Sequence, residues 1–219
     1  MKWALLDGVP EDDVQQLLSI ARRRKFARGE VVFHEQDPAD TLHLIDKGRF
    51  AVRVSTPLGD TAILAVLGPG QMFGELALLG EAGEERRTAT IAALEAAETR
   101  SVHRIDFDRL RERNPSTTNV IVAILLGQNR RLSRHLVEAL YVSAEKRVLR
   151  RLVEVTEIYG DGHAHVVVPL TQEDLAGLAG TSRATVNRVL REEEARGTVK
   201  LGRGRTTVLD AETLARRGR

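Results

Sequence analysis

PSTTNVIVAILLGQNRRLSRHLVEALYV, residues 115–142, decides how this chain is organised. Val122, Leu125, Leu132, Leu136 and Ala139, with Asn129 filling the one gap, are spaced three, four, three, four, three. That is a heptad seam, the pattern by which two helices pair side by side. Pro115 suits a first helical turn, where its missing N–H is not needed, and no further proline follows until Pro169. Helical throughout, the stretch is roughly 40 Å long at about 1.5 Å per residue. One polar residue within such a seam fixes register or strand number. The competing reading of the pattern is a core helix in a monomer. What flanks it favours a shaft between two domains, and a homodimer formed along it.

The chain has 219 residues, enough for two modest domains, and its 42% hydrophobic and 29% charged residues suit a globular protein. No window approaches the roughly 18 uninterrupted apolar residues of a membrane span. The first residues turn acidic too early for a signal peptide, so the expected location is cytoplasmic. With no cysteine, disulfides, thiolate catalysis and cysteine-ligated iron–sulfur clusters are excluded. Basic residues number 14 against 18 acidic in 1–110, 5 against 2 in 111–143 and 14 against 11 in 144–219. The positive excess therefore sits in the second half, where a nucleic-acid footprint would place it.

Residues 9–24 read as an amphipathic helix, with Glu11, Asp12 and Asp13 in its first turn and Arg22, Arg23 and Arg24 as its solvated end. From Phe26 to Arg104 the pattern changes to short β-rich runs: EVVF, TLHLI, FAVRV, TAILAVL, TATIAAL and RSVHRI, punctuated by glycines. Many short strands at near-regular spacing argue a small antiparallel β-barrel or roll, with hairpin turns at KG (47–48) and LGD (58–60).

GPGQMFGELALLGEAGEERRTAT, residues 68–90, breaks that rhythm. A helical turn or two from Gly74 to Leu79 would point successive backbone N–H groups at an anion. Arg87 offers a planar fork suited to phosphate, and Thr88 a hydroxyl donor. Glu75 would repel a phosphate, so its natural partner is a sugar hydroxyl. Together they describe a ribose-phosphate pocket. Composition alone leaves a solvated surface turn equally open.

GEVVFHEQDPADTLHLIDKGRFAVRV, followed by GQMFGELALL and RRTAT, resembles the cyclic-nucleotide-binding domain of the cyclic-AMP receptor protein (CRP/FNR) family of bacterial regulators. The resemblance implies that Glu75 holds the ribose 2′-hydroxyl. Arg87 and Thr88 would hold the cyclic phosphate, with backbone help from Gly74 and Leu76. It implies a cyclic nucleotide effector, cyclic AMP ahead of cyclic GMP, and no metal. The turn GEAGEER is longer than the family's, and Arg86 also precedes the threonine, but Arg87-Thr88-Ala89 fits the family order. In that family the long helix meets the purine. Here it offers Gln128, Asn129, Ser133 and His135, of which Asn129 and Ser133 are the candidates.

Ser143 reads as the cap of a further helix, and the resemblance places the interdomain hinge there. LTQEDLAGLAGTSRATVNRVLREEEARG, residues 170–197, holds two short helices. Thr171 with Asp174 resembles a capping box, Gly180 sits at the turn, and Thr181 or Ser182 caps the second helix. That is a helix-turn-helix. Arg183, Ala184, Asn187, Arg188 and Arg191 lie on the exposed face of its second helix, where residues reach base edges in the major groove. Thr171, Thr181, Ser182 and Thr185 offer hydroxyls to phosphates. TVKLGRG and RTTVLD add a wing with Lys200, Arg203 and Arg205 at a basic tip. SRATVNR resembles the family's recognition helix, with Arg183 and Arg188 at base-reading positions. Ala184 departs, because several members carry an acid there.

The expected architecture is α+β: an N-terminal antiparallel β-roll sensor (1–110), a long dimerisation helix with hinge (111–143) and a C-terminal winged helix-turn-helix (144–219). The expected function is a homodimeric transcription regulator gated by a small ligand. It reads a palindromic site on double-stranded DNA, with RNA polymerase as a further partner, no membrane contact and no catalytic residue set. Two readings stay open beside it: the same fold sensing another effector or none, and a cyclic-nucleotide module of an enzyme or channel.

Overall fold

The computed structural model describes residues 2–56, 59–79, 85–160 and 165–219. The chain forms two compact units, Met1–Val54 with Leu67–Arg130, and Ser55–Val66 with Arg131–Arg219. In chain order the first part runs α1 (Glu11–Ile20), β1 (Arg22–Phe26), β2 (Val31–Phe33), β3 (Thr41–Lys47), β4 (Phe50–Ser55), β5 (Thr61–Leu67), β6 (Met72–Phe73), a 3-10 turn (Glu75–Leu78), β7 (Thr90–Ala93), β8 (Ala97–His103), α2 (Arg104–Arg113) and α3 (Ser116–Tyr141).

In the first unit one antiparallel sheet has the order β1-β8-β3-β6. Facing it, β7 pairs antiparallel with β2 and with β4. Phe26, Phe50 and Phe73 interlock inside this roll at centroid distances of 5.7 and 5.0 Å. That packing corrects one expectation. The three arginines are no helix end: α1 stops before Ala21, and Arg22, Arg23 and Arg24 pair in β1 with Ser101, Arg100 and Thr99. Phe26 reaches Phe50 only on an extended chain, and the long-range pairing overrides the local helical pattern. A second correction is α2. The run RSVHRI does not stay a strand, because His103 accepts the Ile105 N–H and caps a helix whose Phe107 and Leu110 are buried.

Trp3, Leu17, Leu42, Leu44, Phe107, Leu110 and Ile121 belong to one apolar core, against which Ile124 and Leu125 pack. Leu125 thus leaves the outward row assigned to it. The exposed apolar side of α3 carries Val122, Leu126, Leu132, Leu136, Val137 and Leu140.

The second unit continues with α4 (Ala144–Tyr159), β9 (Val166–Val168), α5 (Gln172–Ala179), α6 (Arg183–Ala195), β10 (Val199–Gly202), β11 (Arg205–Val208) and α7 (Ala211–Arg217). Ser143 caps α4 by accepting the Lys146 N–H. Thr171 and Asp174 form the capping box of α5 in full, and Gly180 ends that helix at φ 59°, ψ 50°, a left-handed conformation that favours glycine. Ser182, rather than Thr181, caps α6. The wing sheet has the order β10-β11-β9. Glu193, 1% exposed, ties the module together: it accepts from Thr198 at 2.8 Å and from Arg217 at 2.9 Å.

Two turns named in the sequence fall partly outside the described residues: Leu58 of LGD and residues 80–84 of GEAGEER.

Candidate functional site

Gly74 opens the 3-10 turn at φ 82°, and a Cβ there would meet Arg87 Nη1 at 2.7 Å and the Thr41 carbonyl oxygen at 2.9 Å. Only glycine lets the guanidinium come this close to the turn. Arg87 is 5% exposed. It donates from Nη1 to the Thr41 carbonyl at 2.7 Å and from Nη2 to Thr41 Oγ1 at 2.8 Å, and its Cζ lies 4.0 Å from the centroid of Phe33. Its Nε is buried without a partner. Burial holds the guanidinium below its ordinary range, and Asp40 and Asp37 pull it back up. The backbone on which it stands is fixed, since Arg87 N–H donates to Asp37 and its carbonyl accepts from Gln36.

Glu75 is also buried, at 7% exposed, and its Oε1 accepts from Gln128 Nε2 at 2.9 Å. A buried cation and a separately held carboxylate thus flank one glycine turn. Thr88 and Leu76 are exposed beside them. Of the polar residues on α3, it is Gln128 that meets the turn. Asn129 and Ser133 are exposed on the helix. The sequence offered Gln128 without singling it out, because helical spacing does not say which of two adjacent residues turns inward.

His43 stacks on Phe73 at 4.9 Å and shares a hydrogen bond with Thr99 Oγ1 at 3.1 Å. Burial, then Arg87 and then Arg24, lower its pKa from 6.5 to about 3. The folded protein therefore keeps this ring neutral while the unfolded chain takes up a proton below pH 6.5. Its contribution to stability is intact above about pH 6.5 and falls by up to about 1.4 kcal/mol per pH unit as the pH drops towards 3. Urea midpoints measured across that window should show a slope that His43→Gln reduces by up to one proton. An unchanged slope would mean that the ring titrates normally.

In the second unit, α6 presents Arg183, Ala184, Asn187, Arg188 and Arg191 outward. A groove of about 510 Å³ between α6, the start of α5 and the wing is lined by Thr171, Gln172, Arg183, Asn187 and Arg205. Asn187 Nδ2 donates to Gln172 Oε1 at 3.0 Å, a contact absent from the sequence reading because the two lie on different helices. Arg188 pairs with Glu145 at 2.6 Å and Glu192 at 3.1 Å, and Arg191 with Glu194 at 3.2 Å. Thr171 and Ser182 spend their hydroxyls on caps, Thr185 shares the Ser182 hydroxyl at 3.0 Å, and Thr181 donates its N–H to Ala176. Arg203 is exposed in the turn between β10 and β11. Among the described residues no group of three or more His, Asp or Glu could hold a metal, and no helix is long and apolar enough to cross a membrane.

The sequence family of the cyclic nucleotide-binding domain matches residues 23–114, and that of the Crp-like helix-turn-helix domain matches residues 146–217. The cyclic AMP receptor protein of Thermus thermophilus is 33% identical over 210 residues, covering 96% of this chain and 94% of its own. The CRP-like cAMP-activated global transcriptional regulator of Mycobacterium tuberculosis is 29% identical over 221 residues, covering 98% and 96%. FixK2 from Bradyrhizobium japonicum, at 19% identity, shares the fold with a TM-score of 0.78 over 90% of this chain and 96% of that one. A glycine-turn β-roll and a winged helix-turn-helix on one chain define a DNA-binding transcription regulator with a cyclic-nucleotide-binding domain. The chain belongs to the CRP/FNR family of bacterial transcription regulators.

Proposed function

We propose that this regulator is a homodimer whose DNA binding is gated by a cyclic nucleotide, cyclic AMP ahead of cyclic GMP. The observation that carries the reading is the buried Arg87 guanidinium against Gly74, with the buried Glu75 carboxylate beside it. The cation suits a cyclic phosphate and the carboxylate a ribose hydroxyl. Gly74 and Leu76 supply backbone donors and Thr88 a hydroxyl, while Gln128 orients Glu75. Asn129 and Ser133 stay candidates for the base. The names of the Thermus and Mycobacterium relatives support cyclic AMP as effector.

The working division is a sensor in 1–110, a dimerisation helix and hinge in 111–143, and a DNA-reading module in 144–219. Arg183, Ala184, Asn187 and Arg188 face base edges. Thr171, Thr181, Ser182, Thr185, Arg191 and Arg203 face the phosphate backbone. A palindromic site follows from two-fold symmetry, with RNA polymerase as the further partner and the cytoplasm as the location. The chemistry is recognition rather than catalysis.

The test is calorimetric titration of the full chain with cyclic AMP and cyclic GMP, for wild type and Arg87→Ala. A charged hydrogen bond contributes about 1.5–3 kcal/mol, so the variant should bind roughly 10- to 150-fold more weakly with an unchanged fold by circular dichroism. Wild type that binds neither nucleotide, or a variant that binds as tightly, overturns the sensor reading.

A further inference from the structure

Arg87 is reached from a second side. A cleft of about 340 Å³ opens on the β1, β8 and β3 face of the roll, and its walls include Arg22, Arg24, Phe33, Thr41, His43 and Arg87. Gly74, Glu75 and Thr88 are not among them. Three arginines are among its lining residues, and the third is the buried one whose Nε has no partner. A buried donor left unmade is costly; with both Nη atoms given to Thr41, what Arg87 keeps unpartnered is its Nε–H, and the exposed Arg22 and Arg24 line the same cleft.

Two carboxylates also line the cleft, Asp40 and Asp106. Asp106 has Arg109 at 3.5 Å, outside the cleft, while Asp40 lies 3.6 Å from His103, which lines the same cleft. His43 adds no positive charge, being held neutral, first by burial and then by Arg87 and Arg24. Three guanidiniums against two carboxylates leave the walls an excess positive charge around a space of about 340 Å³. Planar forks of this kind match tetrahedral oxyanions.

We propose that this cleft is a second anion site, taking a compact anion of the inorganic-phosphate class, and that it competes with the nucleotide site for Arg87. With an anion behind it, the guanidinium is held to the rear and is less available to a cyclic phosphate at Gly74. The rear site stands on its own geometry, and the competition rests on the nucleotide reading given above. The regulator would then answer to the ratio of cyclic nucleotide to ambient phosphate-class anions rather than to nucleotide alone.

The probe is inorganic phosphate titrated into the full chain, with ionic strength held constant by chloride. The first readout is the NMR shift of the Arg87 Nε–H. It should move saturably in wild type, and in the Arg22→Ser, Arg24→Ser double variant phosphate should bind at least about tenfold more weakly, a change of 1.4 kcal/mol. Both replaced side chains are exposed, Arg24 with its Cζ 5.6 Å from the Phe26 centroid, so the variant's melting midpoint should stay close to that of wild type. The second readout is cyclic AMP affinity, which should fall with rising phosphate in wild type and stay flat in the double variant. Phosphate acting no differently from chloride overturns the rear site. So does equal phosphate binding by the double variant, which would place the anion at the Gly74 side. Saturable phosphate binding with unchanged cyclic AMP affinity overturns the competition. Wild type that binds phosphate but no cyclic nucleotide sinks the nucleotide reading and leaves the rear site standing.

Discussion

Glu138→Ala lowers the stability of the C-terminal unit by about 3–5 kcal/mol, the usual cost of stripping one partner from a buried ion pair. Glu138, near the end of α3, is 7% exposed, and accepts from Arg150 on α4 at 2.9 Å and from Arg151 on the same helix. Arg151 is 5% exposed. Without Glu138 it keeps Glu154 at 2.9 Å, but one carboxylate then faces Arg151 and Arg131 with His135 against them. Arg151, whose side chain is 6% exposed, is then left short of counter-charge away from water. Glu138→Gln keeps the shape and one acceptor, so it should cost clearly less. Urea unfolding followed by circular dichroism measures both. If the alanine variant lost less than about 1 kcal/mol, the pair would be behaving as an exposed surface bridge.

That network marks where reading the sequence stopped. Glu138 and Arg151 are thirteen positions apart on two helices, and helical period alone does not bring two helices together. What could be read was local. The Thr171–Asp174 box, the left-handed Gly180 and the Ser143 cap each act within a few residues, and each is present. The runs EVVF to RSVHRI were legible as short β-rich stretches set off by turn residues, and six strands stand on them. Arg22 to Arg24 misled because a local helix pattern continued into them, whereas Phe26 packing on Phe50 and pairing with Thr99 to Ser101 of β8, far off in sequence, decided otherwise. Leu125 misled for a related reason. Leu125 and Leu126 sit 100° apart on a helix, and only the core of the first unit chooses which one is buried. The candidate pocket was legible as residue types, since F-G-E-L and R-T-A name chemistry directly. Its interior was not: Gln128 on Glu75, and Thr41 holding Arg87, are contacts across 53 and 46 positions. The same holds for Arg188, whose Glu145 partner lies 43 positions earlier.

Leu136→Glu converts the regulator from dimer to monomer and lowers its affinity for a two-half-site operator by about 10²–10⁴-fold, the range by which linked binding exceeds single binding. Leu136 is 62% exposed, and Val122, Leu126, Leu132 and Leu140 on the same helix are between 44% and 66% exposed. A row of large apolar side chains along 26 residues of helix is a patch that a soluble chain covers with a partner. In a parallel pair of helices a seam residue such as Leu136 faces the seam of its copy. The substitution therefore sets two carboxylates in an apolar seam, a costly change. Asn129, exposed midway along the row, should fix the register in which the two helices meet, so Asn129→Leu should keep the dimer while blurring its geometry. Sedimentation equilibrium measures the association, and a mobility shift on full and half operators separates loss of dimer from loss of DNA contact. A Leu136→Glu protein that is still a dimer, with full-operator affinity intact, would mean that the pair is held by another surface and that the exposed row on α3 serves something else.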